Sequence, residues 1–208
     1  MGNYAITIAR GFGSGGKEIG TKLAQRLGIP CYEHQILKLA SEESGLNEAL
    51  FGRVDEKLSG SHLSKMLQKI PFTSVVSPQD KRFESDINLF NIQAEIIRKL
   101  AATTSFIVLG KCADYVLKDC DNVVSFYVEA PRSACVKSII NKMGVSEAQA
   151  HKLISKTDKY RADYYKYYTG GNYWTNPVNY DMTLNSDRIG RNECVDLIEH
   201  YVRTKFKL

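Results

Sequence analysis

The chain has no apolar run long enough to cross a bilayer, no CxxC pair and no uninterrupted basic run, and each absence removes a class of function. The first leaves no membrane-spanning helix to place. The second bears on the five cysteines, Cys31, Cys112, Cys120, Cys135 and Cys194, which are odd in number and widely spaced. That spacing suits a reducing compartment better than a disulfide framework or a zinc site. His34, His62, His151 and His200 are equally scattered, so no metal cluster is expected. The third bears on the net charge of +5, which is modest and carries no nucleic-acid tail. Repeats and low-complexity stretches are also missing. Ahead of the first strand there is neither a charged segment nor an apolar signal region, so the expected compartment is the cytoplasm. What remains is a chain of 208 residues, 43% hydrophobic and 25% charged, read as one globular domain with room for a small inserted lobe.

The most informative stretch is Ala5-Ile6-Thr7-Ile8-Ala9-Arg10-Gly11-Phe12-Gly13-Ser14-Gly15-Gly16-Lys17. A short apolar run predicts a buried strand, the glycines a turn, and Ile19, Leu23 and Leu27 one apolar face of a helix. Glycines permit backbone angles that turn consecutive N–H groups inward, and a helix start adds positive charge, so strand, loop and helix together suit phosphate oxygens. Two motifs overlap here. Gly11-x-x-x-x-Gly16-Lys17 is the body of a Walker A loop, with Glu18 where a Ser or Thr would help to hold Mg²⁺. Gly11-x-Gly13-x-x-Gly16, followed by Glu33 at the end of the next strand, is a dinucleotide fingerprint. The first implies a nucleoside triphosphate, the second a nicotinamide cofactor.

The rest of the chain alternates strands with helices. Gly28 and Pro30 end the first helix, and Cys31-Tyr32-Glu33 is a short second strand. Residues 35–104 are mostly helical or irregular and too long for a simple crossover, which marks an insertion; Leu89, Gln93, Ile96, Ile97 and Leu100 trace its last helix. Phe106 to Gly110 is the third strand and Val123 to Val128 the fourth. Pro131 suits a first helical position, and Val136, Ile139, Ile140 and Met143 trace a helix that ends at Gly144. Ser146 to Gln149 is a capping box for another helix, which runs towards Gly170-Gly171. Tyr180 to Leu184 reads as the fifth strand, and Val195, Ile198 and Val202 mark a closing helix. This pattern predicts a three-layer α/β domain with a five-stranded parallel sheet. Lys17, Glu33, Lys111 and Asp114 should then converge beyond the carboxyl ends of the strands. The Tyr164, Tyr165, Tyr167, Tyr168, Tyr173 and Trp174 cluster can either stack on a base or pack its helix against the sheet.

Three separated stretches, residues 5–40, the Gly110-Lys111-Cys112-Ala113-Asp114-Tyr115 turn, and Asp158-Lys159-Tyr160-Arg161 followed by Tyr180-Asp181, resemble the cytidylate kinase-like family of P-loop nucleoside monophosphate kinases. The resemblance implies the P-loop NTPase fold, with a helical acceptor-binding insertion at about 35–104 and a lid at about 155–178. It implies ATP and Mg²⁺ as cofactors and CMP or dCMP as acceptor. The phosphate loop falls on Gly11, Gly13, Ser14, Gly15, Gly16, Lys17 and Glu18. The family's Gly-Arg pair, which meets the acceptor phosphate, falls on Gly110-Lys111; lysine keeps the charge but loses the planar fork. Asp158 and Arg161 fall on the lid pattern, flanked by Lys156 and Lys159. Lys17 and Arg161 are the expected catalytic cations, and Lys111, Asp114, Glu33 and Asp158 the expected acceptor-side residues. Arg53 and Arg82 are further candidates within the insertion, and the metal ligands are not identified.

A nucleotide acceptor already carries an ionised phosphate, so no general base is required. A hydroxyl acceptor would need one, and Glu33 or Asp114 could serve, which keeps a small-metabolite kinase open. Glu18 and Lys111 also keep open a nucleotide-binding regulator without turnover. The expected partners are small-molecule nucleotides, with no nucleic acid and no membrane, and the oligomeric state is open between monomer and homodimer.

Overall fold

The computed structural model describes residues 2–33, 35–44, 46 and 86–208. A five-stranded, all-parallel sheet has the order β2-β3-β1-β4-β5, built from β1 (Ala5–Arg10), β2 (Cys31–Tyr32), β3 (Phe106–Leu109), β4 (Val123–Glu129) and β5 (Met182–Asn185). Helices cover both faces. Even-numbered residues of β1, Ile6 and Ile8, pack with Ile19 and Leu23 of α1 (Gly16–Leu27) and with Val195 and Ile198 of α8 (Arg191–Phe206). Odd-numbered residues, Ala5 and Ala9, face α2 (Gln35–Ser44), α3 (Asp86–Thr103), α4 (Ala113–Val116) and the end of α6 (Glu147–Tyr168). Burying each large aliphatic side chain contributes about 1.5–3 kcal/mol, so this two-sided core dominates the stability. A third cluster, Cys135, Val136 and Ile139 with Ala150 and Ile154, joins α5 (Arg132–Met143) to α6.

The local signals work as chemistry requires. Gly28 closes α1 in the left-handed region at φ 66°, its N–H donating to the Ala24 carbonyl. Gly20 lets α1 approach β3, because a Cβ there would stand 2.8 Å from Leu109 Cδ2. The Ser146–Gln149 capping box forms in both directions and starts α6. Pro131 is the N-cap of α5 rather than its first helical residue. β5 begins at Met182, two residues later than the apolar pattern suggests. The cause is Asp181, whose carboxylate accepts from the Ser125 N–H at 2.7 Å while its own N–H donates to the Ser125 carbonyl. A side chain there completes the β4 edge. Between β5 and α8 lies one further short helix, α7 (Ser186–Ile189).

Of the inserted segment, α2 and α3 are described and pack side by side. Arg53 and Arg82 lie outside the described residues. No helix among the described residues is long and apolar enough to cross a membrane.

One buried polar contact sits inside the apolar sheet. Thr7 of β1 donates its hydroxyl to Ser125 Oγ of β4 at 2.9 Å. Thr7→Val should destabilise the fold by about 1–3 kcal/mol, because the largely buried Ser125 Oγ loses its partner. The double change Thr7→Val with Ser125→Ala should recover most of that loss, as read from denaturant midpoints.

Candidate functional site

The turn after β1 is shaped by glycine. Gly13 and Gly15 have φ 92° and 87°, values that side-chain-bearing residues rarely adopt. A Cβ on Gly11 would stand 2.2 Å from Glu129 Oε1, and one on Gly15 would stand 2.5 Å from Arg191 Nε. Ser14 closes the turn internally, its hydroxyl donating to the Gly11 carbonyl at 2.9 Å. The loop runs directly into the positive end of α1, a backbone arrangement suited to phosphate oxygens, while the Gly11, Phe12 and Ser14 N–H groups donate to the Val128 carbonyl, Asp158 and the Gly11 carbonyl.

Lys17 stands at the rim, 61% exposed, and its Nζ reaches Glu33 Oε2 at 2.6 Å. Arg10, the last residue of β1, holds the other oxygen of Glu33 at 2.7 Å. Burial pushes the Glu33 carboxyl up, but Lys17 and Arg10 more than offset it and keep its pKa below the usual carboxylate range. Glu33 is therefore a fixed anion shared by two cations. Such a group is a poor proton acceptor.

Next to this triad lies a cavity of about 310 Å³. Its charged lining is Arg10, Lys111 and Arg161 against Glu33 and Asp114. Its aromatic lining is Phe12, Tyr160, Tyr164, Tyr165 and Trp174. Sequence reasoning placed Glu33, Lys111 and Asp114 in one crevice, and the structure brings these three together, with Lys17 reaching in from the edge. Gly110, Lys111 and Cys112 occupy the left-handed region in succession, at φ 71°, 63° and 52°. Two of the three carry side chains, so the turn after β3 is strained where it meets the cavity.

Asp114 is 7% exposed and accepts from the Tyr165 hydroxyl at 2.6 Å. Burial raises its pKa to about 6, against the opposing effect of that hydrogen bond. Asp158 faces the phosphate loop rather than the cavity: its carboxylate accepts from the Phe12 N–H at 2.8 Å. Arg161 donates to the Arg10 carbonyl at 2.8 Å and to Asp158. Helix α6 is thus bolted to the residues on either side of Gly11. Burial, then the neighbouring Arg10, lowers the Arg161 pKa to about 10, which leaves it cationic at neutral pH.

Besides Asp158, expected on the acceptor side, three further residues are placed differently. Lys156 and Lys159, expected beside Arg161 in a basic lid, are exposed on the outer side of α6, where Lys159 pairs with Asp163 at 2.8 Å. Only one face of the helix is turned towards the cavity, and it carries Thr157, Tyr160, Arg161, Tyr164 and Tyr165. Glu18, expected within the phosphate loop, turns outward to Lys22 at 2.9 Å and to Arg191 at 2.6 Å. Those two cations hold its pKa below the usual range. The aromatic cluster packs α6 into the core, and part of it also faces the cavity. Tyr168 stacks on Phe90 with ring centroids 4.0 Å apart, while Tyr160 and Tyr164 line the cavity.

Arg10, Glu129 and Arg191 were missed. Arg10 had a signal: a charge closing an otherwise apolar buried strand has no packing reason to be there. Arg191 and Glu129 had none, since only tertiary contact sets them against the loop.

The residues present fit a nucleotide's phosphates on the glycine cradle and Lys17. For Mg²⁺ the protein offers no ready cage: among the described residues no three His, Cys, Asp or Glu side chains stand close enough to hold a metal. The strand order weighs against the dinucleotide reading, because β2, which precedes Glu33, is separated from β1 by β3.

The sequence model of the cytidylate kinase-like family matches residues 5–188. Among solved structures, the chain is similar to an uncharacterized protein from Eubacterium ventriosum, at 24% identity and TM-score 0.68, over 96% of this chain and 98% of that one. It is also similar to shikimate kinase from Bacteroides thetaiotaomicron, at 10% identity and TM-score 0.52, over 99% of both chains. TT1252 from Thermus thermophilus matches at 13% identity and TM-score 0.50, over 99% of this chain and 98% of that one. At these identities the likeness shows the fold, that of the P-loop kinases. No curated protein matches.

The buried Asp114 carboxyl predicts a pH effect. Its pKa rises from 3.8 to about 6 on folding, so the native state holds this proton more tightly than the unfolded chain does. The stability it contributes is full below about pH 4 and is lost as pH rises through about 6. Asp114→Asn should remove that slope, a difference on the order of 1–3 kcal/mol between pH 4 and 7, read from denaturant unfolding of the two proteins.

Proposed function

The chain belongs to the cytidylate kinase-like family, and on that premise we propose that it transfers the γ-phosphoryl group of ATP to a nucleoside monophosphate, CMP or dCMP first. The observation that carries this reading is the junction at Glu33. One carboxylate joins Lys17, at the rim of a phosphate cradle, to Arg10, in the wall of a cation-lined and aromatic-lined cavity. Donor and acceptor sites would then meet edge to edge, as phosphoryl transfer requires.

Each residue has a task in this reading. The loop N–H groups and Lys17 bind the donor phosphates and neutralise charge on the moving group. Arg161 and Lys111 add positive charge on the acceptor side. Phe12, Tyr160 and Tyr164 offer faces and edges against which a base can pack. Mg²⁺, when bound with the nucleotide, would supply further charge neutralisation across the phosphates. The acceptor phosphate is itself the nucleophile, so a proton-accepting side chain is not needed. Residues 1–208 form one kinase domain in this proposal, with residues 35–104 as the acceptor lobe and the second half of α6, with the segment to about 178, as the lid.

A second reading rests on Asp114. It lines the cavity with a pKa of about 6, close to the range in which a carboxylate can accept a hydroxyl proton. Were the acceptor an alcohol, Asp114 rather than the doubly paired Glu33 would be the base.

ADP release from ATP and Mg²⁺ should be measured with CMP, dCMP, UMP, AMP, GMP, shikimate or no acceptor. Turnover with CMP or dCMP is the expected result; turnover with shikimate alone favours the second reading, and ATP binding without turnover favours a regulator. In the same assay Lys17→Ala should lower turnover by about 100-fold or more. Lys111→Ala should raise the acceptor KM while leaving that for ATP within about threefold.

A further inference from the structure

We propose that Arg10 grips the acceptor's phosphate with its guanidinium, and so acts as the specificity-determining residue of the acceptor cavity. The inference rests on the acceptor reading of that cavity.

Arg10 closes β1, whose preceding residues Ala5 to Ala9 are all buried, and its own side chain is only 13% exposed. The path of that side chain is cleared by two glycines from different loops. A Cβ on Gly16, where the phosphate loop enters α1, would stand 2.5 Å from Arg10 Cβ. A Cβ on Gly110, in the turn after β3, would stand 2.2 Å from Arg10 Nη1. Arg10 therefore runs from the donor loop to the acceptor turn, through space that side chains at either position would fill.

Its geometry is set before any ligand arrives. Glu33 Oε1 accepts from Nη2 at 2.7 Å, and Arg161 donates to the Arg10 carbonyl at 2.8 Å. A planar fork held in one orientation loses little freedom when it binds a phosphate through two parallel hydrogen bonds. The other cations of the cavity are less suited to that grip. Arg161 spends Nη1 on two acceptors, the Arg10 carbonyl and Asp158, where Arg10 spends Nη2 on Glu33 alone, and Lys111 is an ammonium, a point charge without a fork. Arg10 and Arg161 also repel one another, and Arg161's pKa falls partly for that reason. An anion placed against Arg10 relieves this repulsion. Because Glu33 also holds Lys17, that anion would lie beside the lysine that meets the donor phosphates.

The test compares wild type with Arg10→Lys, which keeps the charge and loses the fork, and Arg10→Gln, which keeps much of the stem. Binding of CMP, cytidine, inorganic phosphate and ATP is measured by calorimetry, and turnover is measured beside it. Arg10→Lys should weaken CMP and inorganic phosphate by about 10-fold or more, leave cytidine unchanged, and leave ATP within about threefold. Arg10→Gln should weaken CMP further. Wild-type CMP affinity in Arg10→Lys overturns the proposal. So does parallel loss of CMP and ATP, or failure of both variants to fold, since Arg10 would then be a structural support of the loop. Should CMP be turned over with an unaltered KM in Arg10→Lys, the proposal falls and the kinase reading stands. Should no nucleotide be turned over while phosphate binding still depends on Arg10, the kinase reading falls and the proposal stands.

Discussion

Parallel pairing of β1 with β3 is the constraint from which the site follows. Their register sets Ile8 opposite Leu109, so β1 runs on by only Ala9 and Arg10 beyond the end of β3, and the two turns leave the sheet side by side. Gly110 N–H donates to the Ile8 carbonyl at 3.1 Å, which pins the second turn to the first. The phosphate loop begins at Gly11 and the strained Gly110-Lys111-Cys112 turn begins one strand away. A slip of one residue would turn Arg10 to the other face and separate Lys17 from Glu33. The chemistry proposed here thus depends on a backbone register held by an apolar core.

The charges around that register form a chain rather than scattered pairs. Lys17, Glu33 and Arg10 join side chain to side chain, and Arg161 and Asp158 continue the chain through the backbone of Arg10 and Phe12. Helix α6 reaches the glycine loop with one set of residues and lines the cavity with another that includes Tyr160, Arg161 and Tyr164. A ligand that moves α6 at the cavity would therefore be felt at the loop, and the reverse holds by linkage. Glu18 stands outside this chain. Its pairing with Lys22 and Arg191 fastens α1 to α8 and commits its carboxylate to those two cations.

Much of this was legible beforehand, and the reason is locality. Strand β1, the glycine turn, the Gly28 and Gly144 stops and the Ser146 capping box are each written within a few neighbouring residues, where periodicity and left-handed glycines leave little choice. The grouping of Glu33, Lys111 and Asp114 could be read because residues that follow parallel strands gather beyond one edge of the sheet. The direction of each side chain could not. Lys156, Lys159 and Arg161 share one basic stretch, yet only Arg161 reaches the cavity, because the rotation of α6 about its axis is set by packing of Tyr164, Tyr165 and Tyr168 in the core. The start of β5 was misplaced for a related reason: Asp181 supplies from its side chain what a strand residue would supply from its backbone.

By itself the sequence determined the alternation of strands and helices, the phosphate-loop geometry and the family, since all three rest on patterns along the chain. Tertiary structure alone decided which groups distant in sequence meet. Arg10 and Glu33 are 23 residues apart, Phe12 and Asp158 are 146 apart, and Glu18 and Arg191 are 173 apart. No local preference selects such partners. They are chosen by strand order and helix rotation, which the hydrophobic core fixes first, and the ion pairs form among whatever side chains that packing brings within reach.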